Sequence, residues 1–419
     1  MSNRVRLGII GCGNIMRLFH LPQYPRIPEA QVTAIHDIDV GRAQAAAELL
    51  DQLWAQEAEA ARGRGDGSTV ERCASDRQHL TVCASLDAVW PLVDAVDIAT
   101  PPRWHMSQAA EVLQRGLSVM VEKPMARTWW EAVQLAPVVK AAQGFYQHNE
   151  NWVYNPVMQM MRHLIESGAI GRVERVQWFQ AHTGPDAFTP FWFCDPLAAG
   201  GGSLTDWGVH STGAAWFLAG FDKEPLTVRS DGIRVSARQR VLGGRLQRLQ
   251  VEDDALLEVT LRDPATGSDT LLLVEGIWSR FAPQGKATLI RVEGTRGEIE
   301  VEGSGFGQEE TVQLTTRFVG QRSQHITCSR GRSLLDESFL HELRNFACCV
   351  ADYCAPVVDY AVGLKVMAIL SAGYLSELHG RQAVTLADLT SFCDEIAGRT
   401  PPDQTADEII RALMAPYSG

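Results

Sequence analysis

The chain has 419 residues, 45% of them hydrophobic and 21% charged, with a formal net charge of −12. That length exceeds what one hydrophobic core usually supports and predicts two domains, while the acidic balance argues against nucleic acid, which is held by clustered Lys and Arg. No run reaches the ~18 to 20 uninterrupted apolar residues of a membrane span. The opening "MSNRVRLGII" lacks the charged, apolar and small-residue order of a secretion signal, so a cytoplasmic protein without a membrane partner is expected.

Residues 4–10, "RVRLGII", read as a strand ending in "GCGNIM", and "RLFHLPQYP" opens a helix. The next strand, "VTAIHD", ends at Asp37, and helix follows from Val40 to about Ala61. The polar, glycine-punctuated "RGRGDGSTVERCASDRQHL" predicts an exposed, weakly ordered insertion near 62–80. Strands "VDAVDIATPP" and "LSVMVEKP" then alternate with helices over 105–115 and 128–142. Alternating strand and helix predicts an α/β fold with a doubly wound parallel sheet, assigned to residues 1–150 as a dinucleotide-binding domain.

After Gly144 the pattern changes. Alternating strands such as "RVERVQWFQAH", "DALLEVTLRD", "DTLLLVEGIWS" and "KATLIRVEG" predict a large, mostly antiparallel sheet in an α+β domain over 151–419. A helix over about 200–219 interrupts it, and amphipathic helices close the chain at 334–354, 361–379 and 405–414. The arginine-dense "RVSARQRVLGGRLQR" reads as a solvated strand pair turning at Gly243-Gly244. Nine cysteines show no CxxC or Cys/His ligand spacing, so buried free thiols and no metal site are expected.

Chemistry concentrates at four places. In "GCGNIM", Gly11 permits a tight turn, Gly13 lets backbone approach a pyrophosphate, and Asn14 and Ile15 begin a helix whose free N–H groups favour an anion. Met16 replaces the third glycine of GxGxxG, which weakens the motif. Asp37, about twenty residues on, can accept hydrogen bonds from ribose hydroxyls and would repel a 2′-phosphate, so NAD is expected over NADP; the alternative is a helix N-cap ahead of Val40. "ATPPRWH" puts Thr100, Pro101 and His105 at a strand end where a nicotinamide could lie, or is a turn stiffened by two prolines. "VEKPM" offers Glu122 and Lys123 at the next strand end, either a solvated terminus or a lysine reaching a substrate oxygen. "LTDWGVHST" spaces Asp206 and His210 by one helical turn, which is either a pair addressing one ligand or a surface contact.

In this order, "GIIGCGNI", Asp37, "ATPPRWH", "VEKP" and "GGGSLTDWGVH" resemble the glucose–fructose oxidoreductase and inositol dehydrogenase family, Gfo/Idh/MocA. "NPVMQMMRHLIESGAIGRV" is similar to the family's link between its domains. The resemblance implies a Rossmann domain, an open antiparallel sheet, and oxidation or reduction of a sugar, cyclitol or related alcohol with a nicotinamide cofactor. It implies catalytic Lys123, Asp206 and His210, and cofactor-side positions at Gly11, Gly13, Asn14, Asp37, Thr100, Pro101, His105 and Glu122. A homodimer or homotetramer is implied as well.

Three positions depart from the family pattern. Gly213 stands where a second aspartate is common, and Val153 and Phe193 replace arginines, removing bidentate anchors. The expected pocket is therefore partly apolar, walled by Trp152, Tyr154, Trp192 and Phe193 with Phe191, unless these aromatics are core. The leading reading is hydride transfer with His210 or Lys123 carrying the proton. The alternatives are elimination, epimerisation or glycoside cleavage through transient oxidation, and a silent NAD-binding sensor or partner subunit.

Overall fold

The computed structural model describes residues 4–181, 191–242, 245–278, 288–303, 311–320, 323–329 and 333–417. The first part contains β1 (Val5–Ile10), β2 (Ala30–His36), α1 (Val40–Arg64), α2 (Gly67–His79), β3 (Thr81–Val82), α3 (Leu86–Val89), β4 (Ala95–Ile98), α4 (Pro102–Gln114), β5 (Ser118–Val121), α5 (Trp129–Gln134), α6 (Ala136–Ala141) and β6 (Tyr146–His148). Its six strands lie in the order β3-β2-β1-β4-β5-β6, all parallel. The chain reverses direction across the sheet between β1 and β4, which opens a crevice at their carboxyl ends where ligands bind in such folds. β1, β4 and β5 are buried on both faces, as strands covered by helices on two sides require.

The expected weakly ordered insertion near 62–80 is instead two packed helices. α1 runs to Arg64 and stops at Gly65, whose φ of +75° closes the helix. Asp66 then caps α2 by accepting from Thr69 N at 3.1 Å. Asp76 on α2 is buried and ion-paired to Arg4 at 2.5 Å. The segment reads as polar because α2 buries only Cys73 and Asp76, and its anchor is a charge pair rather than an apolar stripe.

The second part holds α7 (Pro156–Glu166), β7 (Val173–Gln180), α8 (Pro196–Ala199), a π-helical turn at Leu204–Gly208, α9 (Val209–Ala219), β8 (Glu224–Arg234), β9 (Gln239–Leu242), β10 (Arg245–Arg248), β11 (Asp254–Arg262), β12 (Asp269–Ile277), β13 (Thr288–Gly294), β14 (Gly297–Gly303), β15 (Thr311–Phe318) and β16 (Gln324–Ser329). Eight of these strands form one sheet, β16-β15-β14-β13-β7-β12-β11-β8. Its neighbours are antiparallel except for β7 with β12. The arginine-dense stretch forms the β9–β10 pair, with Arg245 opposite Leu242; the Gly243-Gly244 turn lies outside the described residues.

Four helices close the chain: α10 (Leu334–Asp352), α11 (Tyr360–Leu378), α12 (Leu386–Ala397) and α13 (Pro402–Met414). The sequence reading missed α12, whose Thr385 and Asp388 form a capping box. α10 returns to the first sheet, where Leu340, Leu343, Phe346 and Ala347 join the core around Met16, Leu21 and Tyr24. α11 is long and apolar enough to cross a membrane by length and composition alone, but Lys365 and Glu377 interrupt its apolar run and most of it is buried inside the fold. Eight cysteines are described and all are free; Cys354 is exposed, so the expectation of buried thiols fails there.

Candidate active site

The glycine turn leaves β1 with Gly11 at φ +93°, where a Cβ would lie 2.7 Å from Ala99 O. Only glycine fits that approach of the turn to the β4 loop. A Cβ on Gly13 would meet nothing within 4 Å, so the loop faces open space at the start of the helical residues Asn14 and Ile15. Met16 is fully buried in the core, which explains how a large residue is accommodated at the third motif position: the following turn is π-helical, Met16–His20, and wider than an α turn. Open space at Gly13 before a helix start fits a dinucleotide pyrophosphate.

Asp37 closes the turn from the other side. Its carboxylate accepts from Cys12 N at 2.7 Å and from Asp39 N at 2.8 Å. The cap of α1 is Asp39, which accepts from Gly41 N and Arg42 N, so the N-cap alternative for Asp37 is set aside. His105 lies beneath the neighbouring loops, with Nδ1 at 2.9 Å from Pro124 O and Nε2 at 2.7 Å from Thr100 O. Burial lowers its pKa. It braces the Thr100 turn against the cis Lys123–Pro124 peptide, and Thr100 itself donates to Gln108 at 2.7 Å.

Glu122 is buried and not a solvated terminus. It accepts from His20 Nε2 at 3.0 Å and from Lys123 N at 3.1 Å. His20 Nδ1 meets Asp97 Oδ2 at 2.8 Å, and Tyr24 donates to the same oxygen at 2.6 Å. Burial opposes charge on His20, yet the two carboxylates, one on each nitrogen, raise its pKa well above the ordinary value. Burial likewise opposes charge on Glu122, but His20 with Lys123 and His210 holds it down at about 2. The nearby Glu342 of α10 has no partner for either oxygen among the described residues, and burial together with Glu122 raises its pKa well above the carboxylate range.

Lys123 reaches across from the β5 end to the π turn. Its Nζ donates to Asp206 Oδ1 at 2.9 Å and to Asp206 O at 3.0 Å. The other Asp206 oxygen receives Trp278 Nε1–H at 2.9 Å. Glu252 supports this turn from below: it accepts from Gly202 N and Leu204 N at 2.9 Å and from Tyr374 OH at 2.7 Å. A Cβ at Gly202 would stand 2.0 Å from Glu252 O, so the glycine run exists to let two backbones meet. Burial raises the Glu252 pKa to about 7 even though these donors favour its anion.

His210 follows one turn later on α9, and its carboxylate partner is Glu150 rather than Asp206, with Nδ1 at 2.8 Å from Glu150 Oε1. The π turn widens the winding, so Asp206 is turned toward Lys123 while His210 stays on the α-helical face. Trp152 and Trp207 flank the imidazole at centroid distances of 6.4 and 5.8 Å. Lys123, Asp206 and His210 keep side-chain exposures of 13, 16 and 10%, whereas Glu150 is at 2%. The first three therefore keep some contact with solvent, while Glu150 lies beneath His210.

Among the expected aromatic walls whose side chains are described, Trp152 is the one that lies against the imidazole; the Phe191 side chain lies outside the described residues. Tyr154 is buried and donates to Asn345 on α10 at 3.0 Å, so it ties the turn at Asn151–Tyr154 to α10. Trp192 and Phe193 stack on each other at 4.1 Å, and Val153 is fully buried. Sequence reasoning missed Glu150, Trp207 and Trp278. A usable signal existed for Glu150: "QHNEN" lies at the carboxyl end of β6, the same edge as Thr100 and Lys123.

Residues 5–150 match the oxidoreductase family with an NAD-binding Rossmann fold, and residues 158–300 match the GFO/IDH/MocA C-terminal domain. The chain belongs to the Gfo/Idh/MocA family. Its N-terminal part is therefore an NAD-binding Rossmann domain. One Gfo/Idh/MocA relative is the rhizopine catabolism protein MocA of Rhizobium meliloti, 31% identical over 50% of this chain and 59% of that protein. Levoglucosan dehydrogenase of Pseudarthrobacter phenanthrenivorans is 30% identical over 56% of this chain and 60% of its own length. The chain thus spans about three-fifths of these two relatives. The scyllo-inositol 2-dehydrogenase (NAD(+)) of Bacillus subtilis is 23% identical over 87% of this chain and 93% of that protein. Among solved structures, levoglucosan dehydrogenase with NADH and L-sorbose superposes with a TM-score of 0.72 at 19% identity, covering 92% of this chain and all 100% of that one, a likeness of fold.

Proposed function

We propose that this Gfo/Idh/MocA chain is an NAD-dependent dehydrogenase or reductase acting on a hydroxyl-bearing or carbonyl carbon of a sugar, cyclitol or related, partly apolar metabolite. The observation that carries the reading is the meeting of a Lys123–Asp206 ion pair and a carboxylate-held His210 at the edge of the dinucleotide-binding sheet. Relatives named as levoglucosan and scyllo-inositol dehydrogenases support that substrate class.

When bound, NAD supplies the hydride chemistry. The glycine turn and the helix start at Asn14 would hold its pyrophosphate, and Asp37 its ribose, with NAD preferred over NADP because a 2′-phosphate would meet this carboxylate. Lys123 polarises the reacting oxygen, and Asp206 fixes the lysine in place. His210 takes the hydroxyl proton in oxidation and returns it in reduction, with Trp207 and Trp152 bounding the site. A homodimer or homotetramer in the cytoplasm fits the same reading.

The test is to incubate the purified protein and NAD with pooled sugars, amino sugars, cyclitols and aryl-bearing alcohols or ketones, following cofactor reduction and product mass. Reduction with a product two mass units lighter is the expected result. A new product without net reduction would replace the reading with transient oxidation leading to elimination, epimerisation or glycoside cleavage. Silence across the panel would favour a sensor or partner subunit.

A further inference from the structure

We infer that Glu150 is the positioning residue for His210, set in the room left by Gly213; the inference rests on the dehydrogenase reading above and adds to it a residue from outside the helix that carries the imidazole. Glu150 Oε1 lies 2.8 Å from His210 Nδ1 and also accepts from Trp152 N at 3.3 Å. The second bond belongs to the 3₁₀ turn Asn151–Tyr154, for which Glu150 is the N-cap, so the local fold aims the carboxylate before the ring meets it. Glu150 is almost wholly buried, and its Oε2 has no partner among the described residues. An anion held this deep needs a compensating donor, and the imidazole is the ionisable one it touches.

Gly213 lies three residues beyond His210, on the same face of α9. A Cβ there would stand 3.2 Å from Glu150 Cγ and 3.3 Å from Oε2, tighter than ordinary contact. A carboxylate on residue 213 would therefore compete with Glu150 for the same volume and bring a like charge into a buried space. One acid fits beside His210, and this chain supplies it from the β6 end rather than from the helix. The missing acid at 213 is thus a relocation of the carboxylate, not its loss.

The chemical consequence is a defined tautomer. With Nδ1–H donated to Glu150, the Nε2 lone pair at the far side of the ring is the proton acceptor. When a substrate hydroxyl proton moves to Nε2, the imidazolium formed is offset by the adjacent anion; in reduction the same proton returns to the carbonyl oxygen. Glu150 itself exchanges no proton with substrate.

The test compares Glu150→Ala, Gly213→Asp and the double variant. Moving the carboxylate from residue 150 to residue 213 empties the space that the aspartate needs. Glu150→Ala is expected to lower kcat by about 10²-fold or more with NAD affinity unchanged, in line with the loss of an orienting acid behind a catalytic histidine. Gly213→Asp alone is expected to be impaired through crowding, and the double variant to recover at least about tenfold over Glu150→Ala. Independently of turnover, ¹⁵N-histidine NMR at about pH 8, where an ordinary imidazole is neutral, should show the His210 resonances, assigned by their absence in His210→Gln, as the Nδ1–H form. A wild-type His210 in the Nε2–H form overturns the proposal, even if the double variant does not fold. So does a folded, NAD-binding double variant no faster than Glu150→Ala. A chain inactive on every substrate but showing the Nδ1–H tautomer, lost in Glu150→Ala, would sink the dehydrogenase reading and leave the Glu150–His210 placement standing.

Discussion

Asp206 holds Lys123 and Trp278 at once: one carboxylate oxygen lies 2.9 Å from Lys123 Nζ and the other 2.9 Å from Trp278 Nε1. Both oxygens are spoken for, so in the proposed function the acid acts on substrate through the lysine it fixes. Asp206→Ala is therefore expected to lower kcat by about 10²-fold or more while leaving the NAD Kd nearly unchanged, and Lys123→Ala and His210→Ala to cost about 10²- to 10⁴-fold. Steady-state kinetics with a turned-over substrate and calorimetric NAD titration separate the two quantities. Unchanged turnover in both Lys123→Ala and His210→Ala would remove the assignment.

Asp37 ties the glycine turn through Cys12 N, and the proposed function also gives it the ribose. Asp37→Ala is expected to weaken NAD binding by about tenfold or more, the size of a hydrogen bond to a charged group. The same variant should narrow the preference for NAD over NADP. Tighter binding of NADP than NAD by the wild-type protein would contradict the role given to this carboxylate.

The buried His20 cluster should appear in stability. Removing one member of a buried ion pair leaves its partners uncompensated, and His20→Ala is expected to cost about 3 to 5 kcal/mol in denaturant unfolding. Because its folded pKa is raised, the imidazolium contributes fully below the unfolded value of about 6.5, and that contribution fades as pH rises through the folded value. Glu122, lowered to about 2, contributes above its unfolded value and loses that as pH falls toward about 2. The gap between wild type and His20→Ala is thus expected to be widest at about pH 5 to 6 and to shrink toward alkaline pH. A gap that widens with rising pH would show that His20 is neutral in the fold.

Glu252 predicts the opposite trend for a carboxylate. Its folded pKa is raised to about 7, so its protonated form is favoured in the fold; this contribution is complete below the unfolded value and is lost as pH rises toward 7. At 1.36 kcal/mol per pKa unit the span is about 3 kcal/mol. Glu252→Gln removes the titration, and urea unfolding should show a smaller fall in stability between about pH 4.5 and 7.5 than wild type does. An equal fall in both proteins would refute the link.

How much was legible follows the range of the forces involved. Gly11, Gly13 and Asp37 could be placed from the sequence because a strand–turn–helix and its spacing are local, and the alternation of periods along the chain determined a parallel sheet followed by a mainly antiparallel one. Lys123, Asp206 and His210 were singled out as candidates because the short motifs around them resemble the family's, and the structure brings Lys123 to Asp206. The insertion near 62–80 was misread because α2 is held by the Arg4–Asp76 pair, whose members are 72 residues apart and leave no apolar stripe. Asp206 and His210 looked like partners at helical spacing; the π turn and the arrival of Lys123 gave each a different neighbour. Glu150 lies 60 residues from His210 and Trp278 72 from Asp206. The sequence by itself determined the fold class, because that follows from local periodicity, and it supplied the candidate residues through motifs that resemble the family's. Only the tertiary structure decided which acid serves which base, because those contacts form where three strand ends and a helix meet, and no spacing along the chain encodes that meeting.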